Sequence, residues 1–325
     1  MKGFIHSAVL WVLSGSALAG PEAAPEIEGL RPFLALQIAL EGEGFSPGLL
    51  DGVPGPKTRL ALAAFQSSVG LPATGEADGQ TWERLRPDPE RCLALYSVSA
   101  ADLAEVDPPP HDWLERSRRR RLLYHSLADL IAERAHTSKR FLSAANPAVD
   151  FAALRAGDAV CTPAIPAARR SSGAVERIEI DLERKVILLF REGPNVARPA
   201  GLLYCSIAAD PARAPVGQTR VMSVAAEPVY TFDPAMWPEV RGIDRKLQIP
   251  PGPRSPVGLR WIGLDVKGVG IHGAPEPENI GKTGSHGCFR LTNWDAIWLA
   301  DMVRAGTPVR IVRTSNESSW RWGGD

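Results

Sequence analysis

The chain of 325 residues lacks an excess of charge of either sign, since 37 Lys and Arg are balanced by 37 Asp and Glu. The bulk attraction to nucleic acid or to an anionic membrane that a basic excess would supply is therefore missing, which disfavours a dedicated nucleic-acid binder. Cysteine is scarce: Cys92, Cys161, Cys205 and Cys288 are too few for a disulfide scaffold in a chain this long, so each is weighed alone. Beyond the N-terminus no stretch approaches the about 18 uninterrupted apolar residues of a membrane span. Near Cys288 there is no C-x-x-C partner to complete a four-ligand zinc site, and neither a metal nor a cofactor is expected. Glycine and proline, by contrast, are plentiful at 30 and 29 residues, and imply compact pieces joined by turns and linkers. With 23% charged and 44% apolar residues the composition is globular, and the length suggests two or three domains.

The first residues read as a targeting signal. Lys2 precedes an apolar stretch from Gly3 to Leu13, and Ser14 to Ala19 supply small residues, with Ala17-Leu18-Ala19 in the A-x-A arrangement of a cleavage site. Residues 1–19 are accordingly expected to be a secretory signal peptide. Export would place the protein in the periplasm or cell envelope, away from cytosolic ATP and reduced pyridine nucleotide.

The pattern predicts a multidomain chain. From 30 to 86, apolar residues at helical spacing flank the turn-forming Asp51-Gly52-Val53-Pro54-Gly55-Pro56, which predicts a small all-α bundle with Pro56 near a helix start. Pro108-Pro109-Pro110 stiffens a boundary, and an α/β spacer is expected over 111–166. From 174 to 313 the period changes. Ile178, Ile180 and Leu182, then Val186, Leu188 and Phe190, alternate with their neighbours and predict half-buried strands of a hairpin. Leu203, Cys205 and Ile207 also alternate, which points Cys205 into an apolar face. One helix, Trp294 to Val303, and a last strand, Val309 to Val312, complete a mostly β domain, followed by a tail at 314–325.

The chemistry-bearing residues lie late in that domain. Ile271-His272-Gly273 is followed, after a Pro-rich loop, by Ser285-His286-Gly287-Cys288-Phe289-Arg290-Leu291. A thiolate is the useful nucleophile and free Cys is mostly protonated at neutral pH, so an adjacent imidazole is expected to activate it and lower its pKa. One His can then act as base and acid in turn. The Gly beside Cys288 lets backbone N–H groups approach an oxyanion. Arg290 either binds a substrate carboxylate through its fork or braces the turn. Asn293 and Asp295 are expected to cap the following helix. Tyr230, Trp237 and Trp261 are candidates for lining a peptide groove, with core packing as the plainer reading.

These residues carry two family resemblances. Leu36-Gln37, Gly44-Phe45, Asp51-Gly52, Gly55-Pro56-Lys57-Thr58, Phe65-Gln66 and Thr81-Trp82 resemble the type 1 peptidoglycan-binding domain, which implies binding of glycan or stem peptide. Leu142 to Pro147 and Leu154 to Val160 resemble the second half of a lysin motif. His272-Gly273, Ser285-His286-Gly287-Cys288-Phe289-Arg290-Leu291 and Gly306-Thr307-Pro308-Val309 resemble the L,D-transpeptidase catalytic domain. That resemblance implies Cys288 as nucleophile, His272 as acid/base oriented by the Gly273 carbonyl, and His286 shaping the turn. It further implies that the Gly287 and Cys288 amides form the oxyanion hole and that carbapenem-type β-lactams inhibit, while Ser285, Arg290, Trp261 and Tyr230 are the candidates for meeting substrate. Formation of 3-3 crosslinks between peptidoglycan stem peptides is the leading expectation. An L,D-carboxypeptidase, a protein-anchoring transferase and a non-catalytic wall-binding protein stand beside it. A bridge between Cys92 and Cys161 is also permitted in an oxidising compartment.

Overall fold

The structure is a computed structural model that describes residues 25–169, 175–191, 198–210, 213–237, 240–282, 284–285, 287–313, 318 and 320. The signal-peptide expectation at 1–19 lies outside the described residues, as do His286 and all of the tail except Ser318 and Trp320. No helix among the described residues is long and apolar enough to cross a membrane.

The N-terminal region is helical: α1 (Pro25–Glu28), α2 (Arg31–Gly42), α3 (Pro56–Ser68) and α4 (Gly79–Leu85). Pro56 opens α3 as its first residue, where its missing N–H has no intrahelical partner to lose. The turn before it is held by buried Gln37, whose side-chain oxygen accepts from the Asp51 and Gly52 amides at 3.0 and 2.8 Å.

The middle segment holds β1 (Leu93–Ser97), α5 (Ala100–Ala104), α6 (Trp113–Arg118), α7 (Leu127–Arg134), α8 (Lys139–Ala145) and β2 (Ala159–Pro163). β1 and β2 pair antiparallel, with Leu95 opposite Cys161. β2 thus finds its partner upstream of the triple proline, in a strand that the sequence reading did not assign. Cys92 and Cys161 are both free and lie in one buried apolar cluster with Phe141, so the bridge permitted by the sequence is not formed in the structure.

The remaining strands are β3 (Arg177–Asp181), β4 (Val186–Phe190), β5 (Pro199–Tyr204), β6 (Gly217–Ala226), β7 (Tyr230–Phe232), β8 (Leu247–Ile249), β9 (Arg260–Leu264), β10 (Gly270–Gly273), β11 (Phe289–Leu291) and β12 (Pro308–Val312), with α9 (Asn293–Met302) before β12. Eight of them form a mixed sheet in the order β11-β10-β9-β6-β12-β3-β4-β5, while β7 and β8 form a separate hairpin. Just past β5, Ser206 exchanges backbone hydrogen bonds with Arg290 at 2.9 and 3.0 Å, which draws the two sheet edges together into a barrel-like closure.

β3 and β4 are not half-buried as the alternation suggested. Every residue of β4 is buried, because its two faces serve two cores. Ile187 and Leu189 pack inward with α9, whereas Val186, Leu188 and Phe190 pack with Leu36, Leu40, Phe45 and Phe65 of the helical region. A strand covered on both faces reads as a continuous apolar run, and Val-Ile-Leu-Leu-Phe is one. The helical region is therefore joined to the sheet rather than tethered to it. Ser46 N–H donates to the Leu202 carbonyl at 2.8 Å and Leu202 N–H to the Gly44 carbonyl at 3.1 Å.

Candidate active site

The sequence-predicted residues meet at the β9–β10–β11 end of the sheet. β9 pairs antiparallel with β10, with Trp261 opposite His272, and β10 pairs parallel with β11, with His272 opposite Arg290. Side chains on neighbouring strands at paired positions share a face, so Trp261, His272 and Arg290 form one cross-strand row. Cys288 lies two residues before Arg290 and therefore points to that same face, diagonal to His272. All four line a groove of about 560 Å³ together with Ser285, Tyr230, Trp237, Val229, Met236 and Val257.

His272 is 4% exposed and its ring stacks on Trp261, with centroids 5.5 Å apart and planes at 18°. Its Nδ1 lies 2.7 Å from the Gly273 carbonyl oxygen, which can only accept, so Nδ1 carries the hydrogen and Nε2 keeps its lone pair. The Gly273 backbone is itself held tightly. A Cβ on Gly273 would lie 2.2 Å from Asn293 Oδ1, and that oxygen accepts from the Leu259 amide at 3.0 Å. Asn293 thus braces the loop beside Gly273. The helix cap is instead Thr292, whose hydroxyl accepts from the Asp295 amide at 3.2 Å. The expected capping role of Asn293 and Asp295 is corrected accordingly.

Burial governs both titratable groups. It pushes the His272 pKa down to about 4, with the Gly273 hydrogen bond acting against it and Arg290 adding to it. Burial likewise pushes the half-buried Cys288 thiol up, opposed by a Gly270 backbone hydrogen bond and by Arg290. The expectation of a lowered Cys288 pKa is therefore reversed. A neutral imidazole has no charge with which to stabilise a resting thiolate, so the resting pair is thiol and imidazole. Its hydrogen can be drawn off as the sulfur attacks.

Ser285 shapes the turn before Cys288. Its hydroxyl donates to the Cys288 carbonyl at 2.5 Å and accepts from the Gly287 amide at 3.2 Å. Gly287, at φ +144°, adopts a backbone that other residues rarely reach. The Gly287 N–H is donated within the turn, and it and the Cys288 amide are the candidate donors to an oxyanion. Ser285 is 6% exposed and lines the groove while its hydroxyl bonds the turn. Arg290 is half-buried in the groove wall, where burial lowers its pKa. Cys205 is fully buried in the inner core, where burial pushes its thiol up and leaves it apart from the groove.

The wall facing His272 went largely unread in the sequence. Pro228, Val229, Thr231 and Met236 come from the segment around the β7–β8 hairpin, where no motif marks them. Trp237, a candidate groove residue from the sequence, does line the groove, and its Nε1 donates to the Tyr230 hydroxyl at 3.2 Å.

Residues 175–311 match the family described as "L,D-transpeptidase catalytic domain" (YkuD), and residues 33–85 match "Putative peptidoglycan binding domain". The chain is 27% identical over 182 residues to "Putative L,D-transpeptidase YkuD" of Bacillus licheniformis, covering 56% of this chain and 91% of that protein. It is 42% identical over 74 residues to "Putative L,D-transpeptidase YqjB" of Bacillus subtilis, spanning 21% of this chain and 42% of the relative's length. Among solved structures, an L,D-transpeptidase from Xylanimonas cellulosilytica matches at 18% identity and TM-score 0.35, over 89% of this chain and 94% of that one. L,D-transpeptidase 3 from Mycobacterium tuberculosis, solved with a faropenem-derived adduct, matches at 18% identity and TM-score 0.32, over 49% of this chain and 75% of that one.

Proposed function

Since residues 175–311 belong to the L,D-transpeptidase catalytic-domain family, we propose that the protein is a cysteine acyltransferase that joins peptidoglycan stem peptides through 3-3 crosslinks. One observation carries this reading: Cys288 and a His272 whose Nδ1 is fixed by the Gly273 carbonyl line one groove.

In the proposed reaction the Cys288 sulfur bonds to the carbonyl carbon of the stem's third residue as its proton passes to His272 Nε2. The Cys288 amide meets the oxyanion, and Arg290 meets a carboxylate or carbonyl of the donor. Collapse breaks the C–N bond to the terminal D-Ala, whose amine leaves with the proton from Nε2. An amine of a second stem then attacks the thioester, gives its proton to Nε2, and releases the Cys288 sulfur, which takes that proton back. No cofactor enters any of these steps. The groove wall contributed by Val229, Met236, Trp237 and Trp261 is apolar and aromatic, which favours an organic acceptor over water. The helical region would hold wall glycan or stem peptide, and the protein would act in the cell envelope. A carbapenem-type β-lactam would acylate Cys288 at the same sulfur.

The test is crosslinked product from purified disaccharide-tetrapeptide donor, made by the full chain and by Cys288→Ala. Loss of at least about a thousandfold is expected, on the scale of removing a catalytic nucleophile. Equal product from both proteins would refute the reading. His272 must be neutral to accept the thiol proton, so activity is lost as pH falls through about 4. An acid limb near the ordinary imidazole value would count against a desolvated His272.

A further inference from the structure

We propose that Trp113 and Leu122, from the segment between the two family-matched regions, clasp the β7–β8 hairpin and thereby position the substrate wall of the Cys288 groove. This rests on reading that groove as an acyl-transfer site.

The hairpin has its own apolar face. Phe232, Leu247 and Ile249 are buried, yet they join a cluster separate from the inner core of the sheet. That cluster is completed by Leu122 and by Trp113 and Leu114 of α6. The Trp113 ring stacks on Phe232 at 4.3 Å and 24°, and lies 5.3 Å from Trp237 and 6.2 Å from Tyr230. Tyr230 and Trp237 are the aromatic groove residues of the hairpin segment and are bonded to each other. One indole therefore touches the buried anchor of the hairpin and both of its groove aromatics.

The backbone closes the same contact. Leu122 N–H donates to the Pro251 carbonyl at 2.9 Å, and Arg254 N–H donates to the Leu122 carbonyl at 3.2 Å. Between them lies Gly252, at φ +139°, where a Cβ would sit 2.2 Å from the Leu122 oxygen. The chain crosses there only because Gly252 has no side chain. At the hairpin's other root the Arg121 guanidinium pairs with the Glu227 carboxylate. The hairpin is thus gripped at both roots and on its apolar face by residues 113–122, more than a hundred positions away in sequence. A catalytic segment cut at 175 would keep Cys288 and His272 but lose the support of the wall opposite them.

Trp113 is here a positioning residue, because it acts through Phe232, Trp237 and Tyr230. The experiment compares the full chain with Trp113→Ala, Trp113→Phe and Leu122→Val by hydrogen exchange and by steady-state transfer. In Trp113→Ala the amides of Tyr230–Phe232 and Leu247–Ile249 are expected to lose at least about tenfold protection while those of Gly270–Gly273 keep theirs. The donor KM is expected to rise about tenfold with kcat within about threefold, the signature of lost substrate positioning. Trp113→Phe, which keeps a stacking ring, is expected to restore both to within about threefold. Leu122→Val, a small volume change, is expected to give the same changes in weaker form and keeps the test open if Trp113→Ala does not fold. Alkylation of Cys288 by iodoacetamide, which needs no wall, should stay unchanged. Unchanged protection overturns the proposal, as does lost protection with an unchanged KM. If the wild-type chain makes no transfer product at all, the acyl-transfer reading fails, and the exchange data alone decide whether the clasp exists.

Discussion

The two ends of the catalytic sheet use the same strand chemistry and treat it in opposite ways. At the β4–β5 end both faces are covered, one by α9 and the inner core and the other by α2 and α3, so Val186, Leu188, Phe190 and Leu202 are all 1% exposed or less. At the β9–β11 end the inner face is equally buried, through Ile262, Ile271 and Phe289. The outer face there carries Trp261, His272 and Arg290 and opens on the groove. The helical region fills at one end the place that substrate is proposed to take at the other. A domain that resembles a wall-binding module is also structural cover for the neighbouring sheet.

That contrast is broken most forcefully at the sealed end. Phe190→Ala removes a ring at the junction of helices and sheet and is expected to destabilise by about 3–5 kcal/mol, measured by urea unfolding. Because both sides share that cluster, helical region and sheet should unfold in one transition. Two transitions in the wild-type chain would show that the helical region is a tethered bead after all.

A second joint between the regions is ionic. Glu41 of α2 is fully buried between His136 and Arg169, and Arg169 also reaches Asp295 of α9 at 2.6 Å. Burial alone would raise the Glu41 carboxyl, but Arg169 and His136 outweigh it and hold its pKa at about 2. A carboxyl depressed from 4.5 to about 2 contributes about 3 kcal/mol above pH 4.5, lost as pH falls toward 2. Glu41→Gln should therefore lower stability most at neutral pH, and the gap from wild type should close in acid. A gap that is independent of pH would remove Glu41 from the joint.

Much of this was legible because local pattern and local structure agree. The Gly–Pro turn before α3, the hydrophobic periods of α2 and α3, and the Cys288 turn with its upstream His272 are short-range features. The sealed face of β4 was misread, since alternation describes one covered face and only the α2–α3 contact shows that the other is covered too. The support behind the groove wall was missed because Trp113 and Trp237 meet only in three dimensions. The hydrogen bond of the Gly287 amide was hidden for a subtler reason. A Gly beside a nucleophile permits an exposed amide, but the hydroxyl two residues earlier, on Ser285, takes that amide first. The reversed Cys288 shift has the same origin, in that a sequence shows a neighbouring imidazole but not the burial that keeps it neutral.

The smallest expected effect sharpens the contrast from the open end. Val224 lies on β6, hydrogen-bonded to the same sheet, yet it is 40% exposed, and its neighbour Met222 is 50% exposed. Val224→Thr keeps the β-branch and the strand preference while placing a hydroxyl where water can reach it. Its unfolding free energy should stay within about 0.5 kcal/mol of wild type, the range for surface substitutions. The matched change Ile187→Thr places the same hydroxyl against the fully buried inner core, where it lacks water and is expected to destabilise by at least about 2 kcal/mol. The two changes use the same new residue on strands of one sheet, so their difference measures cover rather than strand propensity. If both cost the same, exposure along β6 does not report a lack of cover, and the contrast with the sealed strand β4 fails.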